Sequence, residues 1–211
     1  CTACSAGKIQ SGEGATGCTP CNRGWYMAST GKSVCTQCGP SRYEDRGGST
    51  AVTQCKACPV GHKCPSFTMT SPTACPIGEY QPDTLKTTCI NCATGKYTNS
   101  LARTACTKCS KGLYQHQVRQ TKCISCAVGQ YAGNTGMPAC VKCALGQYAP
   151  ILQRSACSNC GYGRYADTLE HSSCKFCMKG RHQSIMGKSF CVDCAVGKYS
   201  VDPTPSDGST H

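Results

Sequence analysis

The sequence predicts a small disulfide-rich β fold, an elongated solenoid or rod of about twelve 17-residue β-hairpin repeats with little hydrophobic core. Three observations carry that expectation. Cysteine supplies 24 of the 211 residues, a level that marks a disulfide scaffold. Three Phe and one Trp, with sparse Leu, Ile and Val, cannot assemble an ordinary core, so cross-links must supply what burial does not. The cysteines also recur at a fixed step, which is the signature of a repeat array.

The unit reads C-x2-C-x2-G-x-Y-x8-C. The second cysteine of each pair falls at 4, 21, 38, 58, 75, 92, 109, 126, 143, 160, 177 and 194, a step of 17 except for one of 20 between 38 and 58. The three extra residues lie in GPSRYEDRGGSTAVTQC, where Gly47-Gly48 offers a longer turn. Glycine fills its place in 11 of 12 units, with Ser41 the exception. Tyrosine fills nine, with Ile9, Lys63 and His182 as replacements. Thirteen residues between anchors leave no room for a helix and its return, so each unit reads as a short hairpin. Tyrosine suits a half-exposed strand, and the glycine permits a positive φ or a close backbone approach.

One unit departs from the rule. In CPVGHKCPSFTMTSPTAC, Pro72 stands where a cysteine is expected, and Cys64 appears six residues after Cys58. The chain therefore divides into regular repeats over 1–54 (one with the insertion), an irregular repeat over 55–75, regular repeats over 76–199, and a Pro/Ser/Thr-rich linker or incomplete repeat over 200–211.

Three chemistries compete for the cysteines. The spacing C-x2-C-x13-C-x2-C approaches a zinc ribbon, but 11 pairs in series do not group into four-thiolate sites without a remainder, and Pro72 removes a ligand. A redox C-x2-C needs one tuned low-pKa thiolate, which a set of equivalent copies does not provide. Staples remain. The simplest pairing joins the second cysteine of each unit to the first of the next: Cys4–Cys18, Cys21–Cys35, Cys38–Cys55, Cys75–Cys89, Cys92–Cys106, Cys109–Cys123, Cys126–Cys140, Cys143–Cys157, Cys160–Cys174 and Cys177–Cys191. The irregular unit closes on itself as Cys58–Cys64, and Cys1 and Cys194 are left over. A second register, 1–21, 18–38 and onward, also balances but asks Cys64 to reach Cys92. Each loop of about 15 residues is worth roughly 3 kcal/mol in the chain-entropy picture. Oxidised cysteines imply an extracellular or secretory setting.

The pattern C-x2-C-x2-G-x-Y resembles the ephrin-receptor-like cysteine-rich repeats, with CPVGHKCPSFTMTSPTACPIGEY (58–80) as the closest passage. More distantly it is similar to the disulfide-bonded hairpin modules of the tumour-necrosis-factor-receptor and EGF-like kinds. The resemblance implies an extracellular β fold. It does not imply a single activity, since such repeats serve as stalks, adhesion surfaces, receptor ectodomains and coats.

Few residues invite a chemical reading. Tyr26, Tyr43, Tyr80, Tyr97, Tyr114, Tyr131, Tyr148, Tyr165 and Tyr199 share one repeat position and are expected to form a ladder, packing over the disulfides or offering rings for contact. The residue between Gly and Tyr, or their replacements, is basic at Lys8, Arg42, Lys96, Arg164, Arg181 and Lys198, either a solvated face or a stripe for anionic glycan. The five histidines show no recurring spacing to a carboxylate or serine, and the ten acidic residues form no calcium loop. None of the five asparagines begins an N-x-[ST] sequon, while Thr204 and Ser206, beside prolines, are candidates for hydroxyl-linked sugar.

The expectation is thus a non-enzymatic extracellular structural protein, a segment of a cell-surface stalk, coat or filament that self-assembles. The alternative is a receptor or adhesion ectodomain binding a protein or anionic glycan, with the irregular repeat as its special place. No cofactor, metal or nucleic acid is expected. The expected partners are copies of the chain or other surface proteins, and the chain shows no transmembrane run.

Overall fold

A computed structural model describes residues 1–200. Among the described residues the regular structure is almost wholly two-residue strands, which pair as eleven separate two-stranded sheets, each antiparallel pair joining consecutive strands. Lys8–Ile9 pairs with Thr19–Pro20, Gln130–Tyr131 with Val141–Lys142, and Arg181–His182 with Val192–Asp193. Two compact units are present. One holds Cys1–Ala93, Thr98–Thr107 and Val118–Thr121; the other holds Thr94–Tyr97, Lys108–Gln117 and the described residues from 122 to 200.

A hairpin of two short strands is marginal in water. Two kinds of bond hold these. The first is covalent: ten bridges, from Cys4–Cys18 to Cys177–Cys191, each tie the entry of a hairpin to the residue just before its second strand, with Cα atoms 5.7–5.9 Å apart. The entry sulfur is the buried one; Cys75, Cys92, Cys109, Cys126 and Cys143 are wholly excluded from solvent. With Ala132, Ala149 and Ala166 they form most of what core there is. The second kind is a repeated set of backbone hydrogen bonds between successive hairpins. In one unit Gly61 N–H donates to Gln81 O (2.8 Å), Cys64 N–H to Lys86 O (2.9 Å), and Leu85 N–H to Cys58 O (2.8 Å). The other unit repeats the set: Gly129 to Ala149 (2.9 Å), Ala132 to Arg154 (3.0 Å) and Gln153 to Cys126 (2.9 Å). Donors and acceptors buried beside the bridges are thereby paired.

Contacts also reach the second neighbour, farther than the sequence suggests. Each hairpin tip carries a residue with positive φ, seven positions after the glycine of its unit: Leu85, Ala102, Arg119, Gln153 and Glu170 among them. In the second unit the Glu170 tip rests on Gly129, and the Gly187 tip on Gly146. A Cβ on either glycine would overlap the carbonyl of the tip above it. The glycine is therefore fixed twice, by a φ of +76° at Gly129 and by lack of room.

The irregular region keeps this frame by other means. The three-residue insertion does not lengthen the Gly47-Gly48 turn, where Gly48 keeps the tip conformation. It folds instead as a 3-10 turn over Val52–Gln54, with Gln54 Oε1 accepting the Thr50 and Ala51 N–H groups. In the next hairpin His62–Lys63 still pairs with Thr73–Ala74, although its bridge, Cys58–Cys64, does not cross the hairpin. The loop 65–72 is thus held by hydrogen bonds such as Thr68 N–H to Cys38 O (3.1 Å) rather than by its own staple.

Substituting Gly129→Ala should destabilise the chain by at least roughly 1–2 kcal/mol, the left-handed penalty alone before the overlap with Glu170. Denaturant unfolding under non-reducing conditions measures it; an unchanged midpoint would show that the tip does not rest on the glycine.

Candidate functional site

The tyrosines sit at the second position of the first strand in their hairpins and are half-buried, except Tyr199, which is 85% exposed and outside any strand. Most of their cross-strand partners are β-branched or basic: Tyr26 faces Thr36, Tyr114 Ile124, Tyr131 Val141 and Tyr165 Lys175, while Tyr148 faces Ser158. Lys56 Nζ lies 5.8 Å from the Tyr43 ring centroid and Lys175 Nζ 6.0 Å from that of Tyr165. These rings are wall rather than free platform, since one side of each meets its hairpin partner.

The basic residues between Gly and Tyr do not act alike. Arg42 donates through Nη1 to Cys55 O (2.9 Å), Arg164 stacks on Phe176 at 4.2 Å, and Arg181 pairs with Asp193 at 2.7 Å. Half of the anticipated stripe is therefore spent inside its own hairpin. Cys1 is exposed and Cys194 half-buried, and neither is bonded. Thr204 and Ser206 lie outside the described residues.

One recurring group escaped the sequence reading. The residue after the tyrosine position is buried: Met27, Glu44, Cys64, Gln81, Thr98, Gln115, Ala132, Ala149, Ala166 and Gln183. Where it is glutamine, the side chain bridges its hairpin in one fixed way. Gln81 Nε2 donates to Thr88 O (2.7 Å) while its Oε1 accepts Asp83 N–H (3.1 Å). Gln115 does the same with Lys122 O (2.8 Å) and Gln117 N–H (3.0 Å), and Gln183 with Phe190 O (2.7 Å) and Ile185 N–H (3.0 Å). An amide has the donor and acceptor this clamp requires; alanine fills the place without one. The recurrence of Gln10, Gln81, Gln115 and Gln183 at one repeat phase was the available signal. Cys64 occupies the same position, so in the irregular hairpin a sulfur bridge to Cys58 replaces the amide clamp.

The densest cluster of titratable groups is Asp167, His171 and Lys175. His171 Nε2 is 3.0 Å from Asp167 Oδ1 and also 3.0 Å from Thr168 Oγ1, and Lys175 Nζ is 2.8 Å from the carboxylate. A nucleophilic relay needs the carboxylate and the hydroxyl on opposite ring nitrogens. Here both share one nitrogen, so the cluster is an ion-pair group and not a triad. The Lys175 hydrogen bond, then that of His171, holds the Asp167 carboxyl down at about 2. Among the described residues no three or more His, Cys, Asp or Glu side chains stand together as a metal site. No helix among them is long and apolar enough to cross a membrane.

Residues 7–55 and 95–136 match the family model described as tyrosine-protein kinase ephrin type A/B receptor-like. These two segments are ephrin-receptor-like cysteine-rich repeats. A comparison with curated proteins finds no match. Eleven bridges together with ephrin-receptor-like segments mark a module of the extracellular, receptor-type kind.

Because the Asp167 pKa is depressed in the folded chain, its stabilising contribution is complete above the ordinary carboxyl range. It is lost as pH falls from about 4 through about 2. Lys175→Ala should move the Asp167 titration upward toward the ordinary range, read by carboxyl NMR. An unmoved midpoint would show that Lys175 does not hold the carboxylate.

Proposed function

We propose that a chain bearing these ephrin-receptor-like repeats is a non-enzymatic structural module of the cell surface, a segment of a stalk, coat or filament that associates with further copies. The observation that supports this reading is uniformity. The same backbone hydrogen bonds recur between hairpins from Gly7 N–H to Met27 O (2.8 Å) through Gly163 N–H to Gln183 O (2.8 Å). Such a chain presents one surface many times, which suits repeated weak contacts better than a single tight pocket.

A receptor ectodomain is the second reading, and the irregular hairpin is what favours it. The loop 65–72 lacks a cross-hairpin staple and carries the exposed Phe67. Loops of that kind, set on a rigid scaffold, are common places for specific recognition.

Sedimentation velocity over a concentration series separates the two. Self-association predicts a weight-average mass that rises with concentration. A monodisperse monomer to the highest accessible concentration would contradict the structural reading. A partner whose binding is lost when 58–75 is replaced by a regular repeat would establish the second.

A further inference from the structure

The hairpin tips of the second unit carry an apolar row whose continuity follows from how the tips are seated. The Gln153 N–H bonds to Cys126 O (2.9 Å), and the next tip, Glu170, lies over Gly129. The Glu170 N–H in turn bonds to Cys143 O (3.1 Å), and the Gly187 tip lies over Gly146. Consecutive tips therefore rest on residues three apart in one strand-entry segment, a span of at most ~10 Å. The three tips are neighbours.

The residues just before these tips are Leu152, Leu169 and Met186, with Ile151 and Ile185 beside them. All five are between 53% and 60% exposed. The residue just after each tip is Arg154, His171 or Lys188; Arg154 is half-buried with Nη2 donating to Ser158 Oγ (3.2 Å), and His171 is held by Asp167 and Thr168. Two carboxylates lie near this row, and each already has a cation: Glu170 pairs with Lys142 at 2.8 Å, and Asp167 with Lys175 and His171. Lys188 has no side-chain partner among the described residues. The first unit, taken by itself, repeats the design with exposed Phe67, Leu85, Leu101 and Val118, and with Lys86 and Arg103 following two of the tips.

We propose that the row 151–188 is a peripheral membrane-binding ridge, in which the apolar side chains beside the tips enter the headgroup boundary of an anionic bilayer and Lys188 meets lipid phosphate. A row of exposed aliphatic side chains suits a fluid bilayer, which needs no complementary shape. The formal charge of +12 opposes ridge-to-ridge docking of two copies and favours an anionic surface. The ridge stands whether or not copies of the chain assemble.

The test is co-sedimentation of the oxidised chain with vesicles of phosphatidylcholine containing phosphatidylserine, against phosphatidylcholine alone. The chain should pellet with the anionic vesicles and be released by salt. The combined variant Leu152→Ser, Leu169→Ser, Met186→Ser should keep its disulfide count and circular dichroism yet bind about tenfold or more weakly. Lys188→Gln should weaken binding roughly fivefold. Three outcomes would overturn the proposal: no pelleting of the unaltered chain with anionic vesicles, equal binding of the triple variant, or dimers that the triple variant abolishes without any vesicle binding. Self-association measured in the absence of lipid reports on the structural reading alone.

Discussion

Two strands of two residues cannot hold a hairpin in water, so the bridge from a hairpin's entry to the start of its second strand sets what the rest can do. That bridge brings two Cα atoms to 5.7–5.9 Å and buries one of its sulfurs. Burial of the entry sulfur turns the chain so that the glycine three residues on faces the following hairpins. The inter-hairpin hydrogen bonds can then form with fixed lengths, as at Gly95 N–H to Gln115 O (2.7 Å) and Arg119 N–H to Cys92 O (2.8 Å). Where no staple crosses the hairpin, at Cys58–Cys64, those same backbone bonds carry its frame.

A second constraint is that little apolar matter fills the space beside the bridges. The place after each tyrosine is buried, yet it accepts glutamine, glutamate, threonine, methionine, alanine or cysteine. A glutamine there satisfies a carbonyl and an N–H of its own turn, so its burial leaves no amide group unpaired. Small residues also succeed there, since Ala132, Ala149 and Ala166 are wholly buried. The fold thus tolerates wide change at most positions, provided that cysteine, glycine and tip geometry persist. Aliphatic residues are freed from the interior, and the exposed Leu152, Leu169 and Met186 just before the tips show where some of them go.

The repeat, its hairpin character and its poverty of core were legible in the sequence, because each is a matter of spacing and composition. A step of 17 with Gly-x-Tyr inside it limits the local structure to a short hairpin. Two things were not legible for physical reasons. The contact of Gly129 with Glu170 joins residues 41 apart through backbone atoms, and tip residues as different as Ala102, Arg119 and Gly136 share a conformation that no side-chain pattern announces. The clamp at Gln81, Gln115 and Gln183 was written in the sequence, but alternation with alanine at the same phase diluted it. The basic stripe read from Lys8 to Lys198 was a pattern of residue types, whereas the roles of Arg42, Arg164 and Arg181 depend on what their hairpins place opposite them.

Spacing alone leaves two registers of bridging open, and which sulfur meets which underlies every contact described above. The most direct test is mass spectrometry of the unreduced chain, alkylated under denaturing conditions and then mapped by proteolysis. Local staples require label on Cys1 and Cys194 alone, and linked peptides such as Cys109–Cys123 and Cys58–Cys64. Label on most cysteines, or a peptide linking Cys64 to Cys92, would contradict the fold as described.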